Sequence, residues 1–247
     1  MFDTSLGLVA VAVLAGAIAG VSGFGIGSLL TPALMFSMPA AEAVAILALP
    51  HAWVTTVRWL KLRREIHWPT FRQFGLASAL GGLAGAALQS QLGSPALTII
   101  LAVLLLIAGI TEVLQRPIPL PRTPVWRLIG GLLSGGFGGL VGNQGGIRAA
   151  ALLGFRLTPR QIVATATASA LLVDAARVPV YLATHRAAIA ARIGLAVTIA
   201  IGATAGTFVG VPLLRRIPPP TYRRLVGALL IGLGVVLLTQ LAVSRKP

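Results

Sequence analysis

Gly20-Val21-Ser22-Gly23-Phe24-Gly25-Ile26-Gly27-Ser28 is a glycine-dense stretch in a chain that is otherwise almost wholly apolar. It returns 119 residues later as Gly139-Leu140-Val141-Gly142-Asn143-Gln144-Gly145-Gly146-Ile147. At that one offset Gly16, Gly20, Gly23 and Gly27 fall on Gly135, Gly139, Gly142 and Gly146. Phe36 also falls on Phe155, Val44-Ala45 on Val163-Ala164, and Arg58 on Arg177. A shift of two more residues pairs Gly81 and Gly85 with Gly202 and Gly206. Recurrence at a fixed spacing marks an internal repeat. Paired glycine breaks in long apolar runs point to a transporter site at the interface of two repeats.

Composition sets the solvent. Mean hydropathy is +0.91, 56% of residues are hydrophobic and 10% are charged, against about 25% charged in soluble domains. Apolar runs lie near 5–21, 25–38, 40–57, 73–92, 95–114, 125–142, 161–183, 188–211 and 224–243. Most approach the roughly 20 helical residues that cross a hydrocarbon core. The run 25–38 is too short to cross and reads as half of a broken element. None of the runs alternates as the strands of a membrane barrel do. The expected class is an all-α polytopic membrane protein, multi-pass in the cytoplasmic membrane.

With no cysteine in the chain, disulfides and thiolate metal sites are excluded; no metal or cofactor is expected. Met1-Phe2-Asp3-Thr4 carries no basic region ahead of its apolar run, so a cleaved leader is not expected and 5–21 reads as retained structure. The net charge of +15 sits in short loops, where it sets topology. No basic, aromatic-interleaved soluble face exists to bind nucleic acid. Trp53, Trp59, Trp68 and Trp126 cluster near the same loops, as in an interfacial belt.

The most basic loop, Arg58 to Arg72 with Lys61, Arg63 and Arg64 between, is placed in the cytoplasm. Segment 73–92 then runs outward and 95–114 returns. The Pro117-Ile118-Pro119-Leu120-Pro121 stretch makes 116–124 an extended cytoplasmic linker. It divides a first repeat, 1–115, from a second, 125–247. If 125–157 crosses once, Arg156, Arg160, Arg215, Arg216, Arg223 and Arg224 lie outside. If it enters and comes back, the loop arginines and lysines fall on the cytoplasmic side except Arg186, Arg192, Arg245 and Lys246. The charge asymmetry favours this second threading. Each half is then a glycine-broken, re-entrant helix pair plus about three full crossings. The halves have opposite orientation, as an inverted repeat, with both termini outside.

Dense glycine breaks a helix and leaves free N–H groups at the start of the next, where a partial positive charge attracts anions. Gly16-x-x-x-Gly20 and Gly135-x-x-x-Gly139 read instead as close helix packing through small residues. The expected anion site is Ser22, Gly23, Gly25 and Gly27 from the first break, Asn143, Gln144, Gly145 and Gly146 from the second, and Arg148. A buried Arg148 costs at least about 2.5 kcal/mol without a partner. Asp174 and Arg177 are one helical turn apart, spaced for an ion pair; Arg177 is also a candidate for holding the anion. Asp174 and His51 are the candidate proton carriers, since histidine titrates near neutrality. Arg58, close to the basic loop, reads as an anchor.

These stretches resemble the sulfite exporter TauE/SafE family of membrane permeases. The likeness rests on the paired glycine-rich breaks, Thr31-Pro32 after the first, and Leu152-Leu153-Gly154-Phe155 after the second. Val163-Ala164-Thr165 followed by Asp174 and Tyr181 adds to it. The resemblance implies a secondary transporter, in the export direction, of small anions such as sulfite, sulfonates or related organic acids, and not an enzyme. Where the family more commonly has Gly-Gly-Gly, this chain has Gly25-Ile26-Gly27-Ser28, and its second break, Asn143-Gln144-Gly145-Gly146, is unusually polar. The partners expected are a small anion and the lipid bilayer, with self-association left open.

Two alternatives compete. Gly20-Val21-Ser22-Gly23 resembles the G-x-S-G of rhomboid proteases, with His51 as a base; the repeat mate Gly139-Leu140-Val141-Gly142 has no serine. An anion channel, or a membrane subunit of a larger complex, is the other. The orientation is tested by cysteines introduced for labelling from outside: positions 94 and 186 should react in intact cells, and positions 61 and 216 only after permeabilisation. Labelling of position 216 from outside overturns the inversion.

Overall fold

Ten principal helices make up the computed structural model, which describes residues 4–22, 25–116 and 123–243, with the side chains of 4–6, 22 and 124 left aside. Gly23 of the expected site and linker residues 117–122 lie outside the described residues, as do Arg245 and Lys246. The helices are α1 (Thr4–Ser22), α2 (Ile26–Met35), α3 (Ala40–Leu62), α4 (Leu76–Gln89), α5 (Ser94–Leu114), α6 (Pro124–Val141), α7 (Gly145–Leu152), α8 (Pro159–Thr184), α9 (Ile193–Ala205) and α10 (Pro219–Val243). A short helix, Trp68–Thr70, and a π turn, Phe71–Gly75, lead into α4; a π turn, Gly206–Gly210, and Val211–Leu214 continue α9. No strand occurs among the described residues.

Sequence signals account for the helix ends. Thr123 accepts the Trp126 N–H with Pro124 at the first helical position. Thr158 and Gln161 form a reciprocal capping box at the head of α8, again followed by proline. Gln115, in the left-handed region, closes α5.

Five helices are long and apolar enough to cross a membrane: Ala40–Glu65, Ser94–Leu114, Pro159–Thr184, Ile193–Leu214 and Pro219–Val243. The protein is a multi-pass membrane protein. Gly7–Val21, Ile26–Met35 and Val125–Val141 are shorter apolar helices. The run 73–92, expected as a full crossing, is not among the five. Its α-helical part is the 14 residues of α4, and the π turn ahead of it carries Arg72 and Gln73.

The packing is reciprocal. α1 lies against α9 and its π turn, and α6 lies against α4; α3 touches α9, and α8 touches α4; α3 meets α8, and α5 meets α10. Glycine makes the closest of these contacts. A Cβ on Gly16 would strike the Ala203 carbonyl, and one on Gly206 the Val13 carbonyl. Likewise Gly135 faces the Ser78 carbonyl, Gly139 that of Gly82, and Gly85 that of Gly136. Gly16, Gly135 and Gly139 are therefore packing residues, backbone set against backbone. The outer surface is apolar, with Leu80 65%, Ile201 66% and Val209 74% exposed, as a chain solvated by lipid requires.

Gly135→Ala should lower stability by about 1–3 kcal/mol, the usual cost of overfilling a packed interface. Gly194 has nothing within 4 Å of an added Cβ, so Gly194→Ala should be neutral or slightly stabilising. Thermal midpoints in detergent decide; a Gly135→Ala midpoint equal to wild type removes this contact from the packing account.

Candidate functional site

The two glycine stretches interrupt helices and face each other. α1 ends at Ser22, and α2 starts at Ile26 behind Gly25, whose φ of 147° is open only to glycine. α6 ends at Val141, Gly142 turns left-handed at φ 71°, and α7 starts at Gly145. A Cβ on Gly27 would overlap the carbonyl oxygen of Gly142, so the two breaks touch backbone to backbone. The Ser28 hydroxyl donates to Asn143 Oδ1 at 3.2 Å across the same junction.

A cavity of about 20 Å³ opens there, room for about one water molecule. Gly25, Gly27 and Ser28 form one wall, and His51, Thr55 and Arg58 of α3 a second. Gly142, Asn143, Gln144, Gly145 and Arg148 form a third, closed by Thr167 and Ala170 of α8. Arg148 is 3% exposed and Arg58 9%. Neither guanidinium has a carboxylate within 4 Å among the described residues. Arg148 donates through Nη2 to Gln144 Oε1, leaving its Nε and Gln144 Nε2 buried without partners. Thr31 Oγ1, beside Gly142, is also unpartnered. This concentration of donors without protein partners and of positive charge, with no acid on the wall among the described residues, suits a negatively charged ligand.

Behind the cavity lies a locked network. Arg177 donates to Asp174 Oδ1 through Nε at 2.9 Å, with Nη2 2.8 Å from the same oxygen. Its Nη1 donates to the Gly138 carbonyl at 2.5 Å. Tyr181 donates to the Gly139 carbonyl, and Gln89 Nε2 to that of Leu140 at 3.3 Å. His51 Nδ1 lies 2.7 Å from Asp174 Oδ2 and 3.4 Å from Thr55 Oγ1. His51 therefore touches both the cavity and the buried carboxylate.

Of the residues expected at the site, Gly25, Gly27, Asn143, Gln144, Gly145 and Arg148 line this one cavity, with His51 among them. Arg177, expected to hold the anion, is not on the wall; its donors go to Asp174 and to the end of α6. Ser22 is the last residue of α1. Gly146 lines a different cavity. That one, about 540 Å³, runs between α5, α6, α7 and α10 from Thr111, Trp126 and Arg223 to Asn143 and Gly146, with mostly apolar walls. Arg223 donates to Glu112 Oε2 at 2.8 Å on its lining. Asn143 is shared by both cavities.

Thr55 and Arg58 line the same cavity, though neither was expected there, and so does Ser28. Ser28 closed the first glycine block, and its hydroxyl was the available signal. Arg58 read as an anchor because basic residues follow it. α3 runs on to Leu62, which holds Arg58 a full turn inside the helix and points it inward.

Comparison with known proteins follows the same line. No curated protein and no solved structure gives a significant match. The family model described as Sulfite exporter TauE/SafE matches residues 8–237, nearly the whole chain. A match of that extent, on a helical bundle with five candidate membrane spans, establishes that the chain belongs to the TauE/SafE sulfite exporter family of membrane transporters.

Proposed function

We propose that the chain is a secondary transporter that exports small anions, such as sulfite, sulfonates or related organic acids, across the cytoplasmic membrane, binding them where the two helix breaks meet. One observation carries the reading: the cavity between the breaks is lined by two buried arginines, Arg58 and Arg148, with no carboxylate within 4 Å of either among the described residues. An anion there replaces lost hydration with the Arg148 and Gln144 donors and the N–H groups that head α2 and α7.

The reciprocal packing supports an inverted repeat of 1–115 and 125–247, because it is the pattern a pseudo-twofold axis would give: α1–α9 exchanged with α6–α4, and α3–α8 and α5–α10 mapped onto themselves. On that topology the wide cavity opens toward the cytoplasm, where α5 ends and α6 and α10 begin, and leads an anion to Asn143. The inner cavity, about 20 Å³, is too small for an anion larger than water, so on this reading binding needs the breaks to part. A cell negative inside expels anions unaided. Coupling to protons, where present, runs through His51, the titratable group that reaches both the cavity and Asp174.

A panel of small anions tested for thermal stabilisation of the detergent-purified protein identifies the best binder. Arg148→Met should weaken its affinity roughly tenfold to a hundredfold, the loss of one charge-assisted hydrogen bond of about 1.5–3 kcal/mol. Arg148→Lys should restore only part, since a point charge does not reproduce a two-pronged donor. Gly27→Val should abolish binding by filling the space against the Gly142 carbonyl where the two backbones meet. An Arg148→Met protein that binds as tightly as wild type removes the site.

For coupling, His51→Gln is the informative change. Asp174→Asn would also strand Arg177 as a buried unpaired charge, at a cost of about 3–5 kcal/mol. In proteoliposomes His51→Gln should flatten the pH dependence of transport while the anion still binds. A profile identical to wild type excludes His51 as the proton carrier.

A further inference from the structure

Arg58 and Arg177 are mates in the 119-residue repeat, yet their surroundings differ in one respect that decides their charge. Three residues before Arg177 stands Asp174, which takes two of its donors. Three residues before Arg58, at the position the offset matches to Asp174, stands Thr55, a buried hydroxyl that neutralises nothing. The duplication therefore leaves one arginine balanced and its mate bare. Arg58 is buried, lines the cavity beside Arg148, and has no ion pair among the described residues.

The charged and titratable groups around the cavity are few. α3 contributes His51 and Arg58, and α7 contributes Arg148. α8 contributes the Asp174–Arg177 pair one layer behind, which closes on itself and on His51. α2 contributes none. Asp174 and Arg177 both act on Arg148 through space and offset each other, so among the described residues the cluster keeps a net excess of two positive charges, Arg58 and Arg148, in a medium where charge is weakly screened.

We propose that the site selects doubly charged oxyanions over singly charged ones, and that Arg58 sets this preference. This rests on the anion-site reading above. A dianion surrenders more hydration on entry than a monoanion, so one cation gives it no advantage. Two cations reverse the order, because a monoanion leaves one guanidinium buried and uncompensated, and a dianion leaves none. Arg148 supplies binding, and Arg58 supplies discrimination.

The probes are sulfate and methanesulfonate, tetrahedral sulfur oxyanions that differ by one charge and do not titrate near neutrality. Binding of each is measured on the full-length protein in detergent. Wild type should prefer sulfate by about tenfold or more, the size of one charge-assisted contact. Arg58→Gln should remove most of that preference, lowering sulfate affinity by about tenfold and methanesulfonate affinity by no more than about threefold. Thr55→Asp should do the same with Arg58 in place, by giving it the carboxylate that Arg177 has. Arg58→Lys should keep the preference. Since Arg58→Gln and Thr55→Asp reach one end from opposite sides, loss of one to misfolding, seen in its melting curve, leaves the other decisive.

Equal binding of the two anions by wild type overturns the proposal. So does a loss in the variants that is the same factor for both, as a merely structural Arg58 would give. If Arg148→Met weakens both anions while the ratio ignores Arg58 and Thr55, the charge rule falls and the anion site stands. If neither anion binds wild type, both fall.

Discussion

A helix that stops inside a bundle leaves its last carbonyls without partners, and the rest of this structure is arranged around meeting that demand at the end of α6. The Gly142 N–H closes back on the Gly138 carbonyl at 3.1 Å, which also accepts from Arg177. Tyr181 serves the Gly139 carbonyl, and Gln89 that of Leu140. Those three side chains come from α8 and α4, the helices packed on either side of α6. The break is thus held open by long-range donors, and α7 is free to start anew at Gly145. At the end of α1, Tyr222 of α10 donates to the Ile18 carbonyl at 3.3 Å, a second tyrosine in a comparable role.

This assigns the buried ions their work. Arg177 is a capping group whose charge Asp174 balances, and the pair together fastens α8 to α6. A buried ion pair is weak evidence for stability on its own. Here it does something an apolar pair would not, because only a donor-rich side chain satisfies a stranded carbonyl and only a carboxylate makes that donor tolerable at depth. His51 joins the same carboxylate from α3, so the network ties three helices around the cavity without occupying it.

Much of this was legible in the sequence. The glycine repeat located both breaks, since dense glycine has few other uses in an apolar run. GxxxG spacing found the contact faces of α1 and α6, because a missing Cβ shows itself in sequence. The Asp174–Arg177 pair followed from helical periodicity. What did not show is where a side chain points when its helix outlasts the apolar run. Arg58 looked terminal because hydropathy falls after it, yet α3 continues past Arg58 to Leu62. Arg177 looked like an anion ligand because nothing in one dimension reveals that carbonyls 39 residues upstream need its donors. Tyr181 and Gln89 were equally silent, since capping a break from another helix has no local pattern.

Tightness is distributed unevenly, and this bears on how the molecule works. Along α1–α9 and α6–α4, glycines bring backbones into direct contact over several turns; these faces have no slack and act as rigid units. Between the breaks, the side-chain link among the described residues is one hydroxyl-to-amide bond of 3.2 Å, from Ser28 to Asn143. A single such bond contributes about 0.5–1.5 kcal/mol, far less than the glycine faces together. The donors nearest it, Gln144 Nε2 and Arg148 Nε, have no protein partner among the described residues, so on the proposed reading they are the groups an anion between the breaks would meet first. On the proposed mechanism, parting the breaks would cost that one weak side-chain bond and leave both packed faces intact.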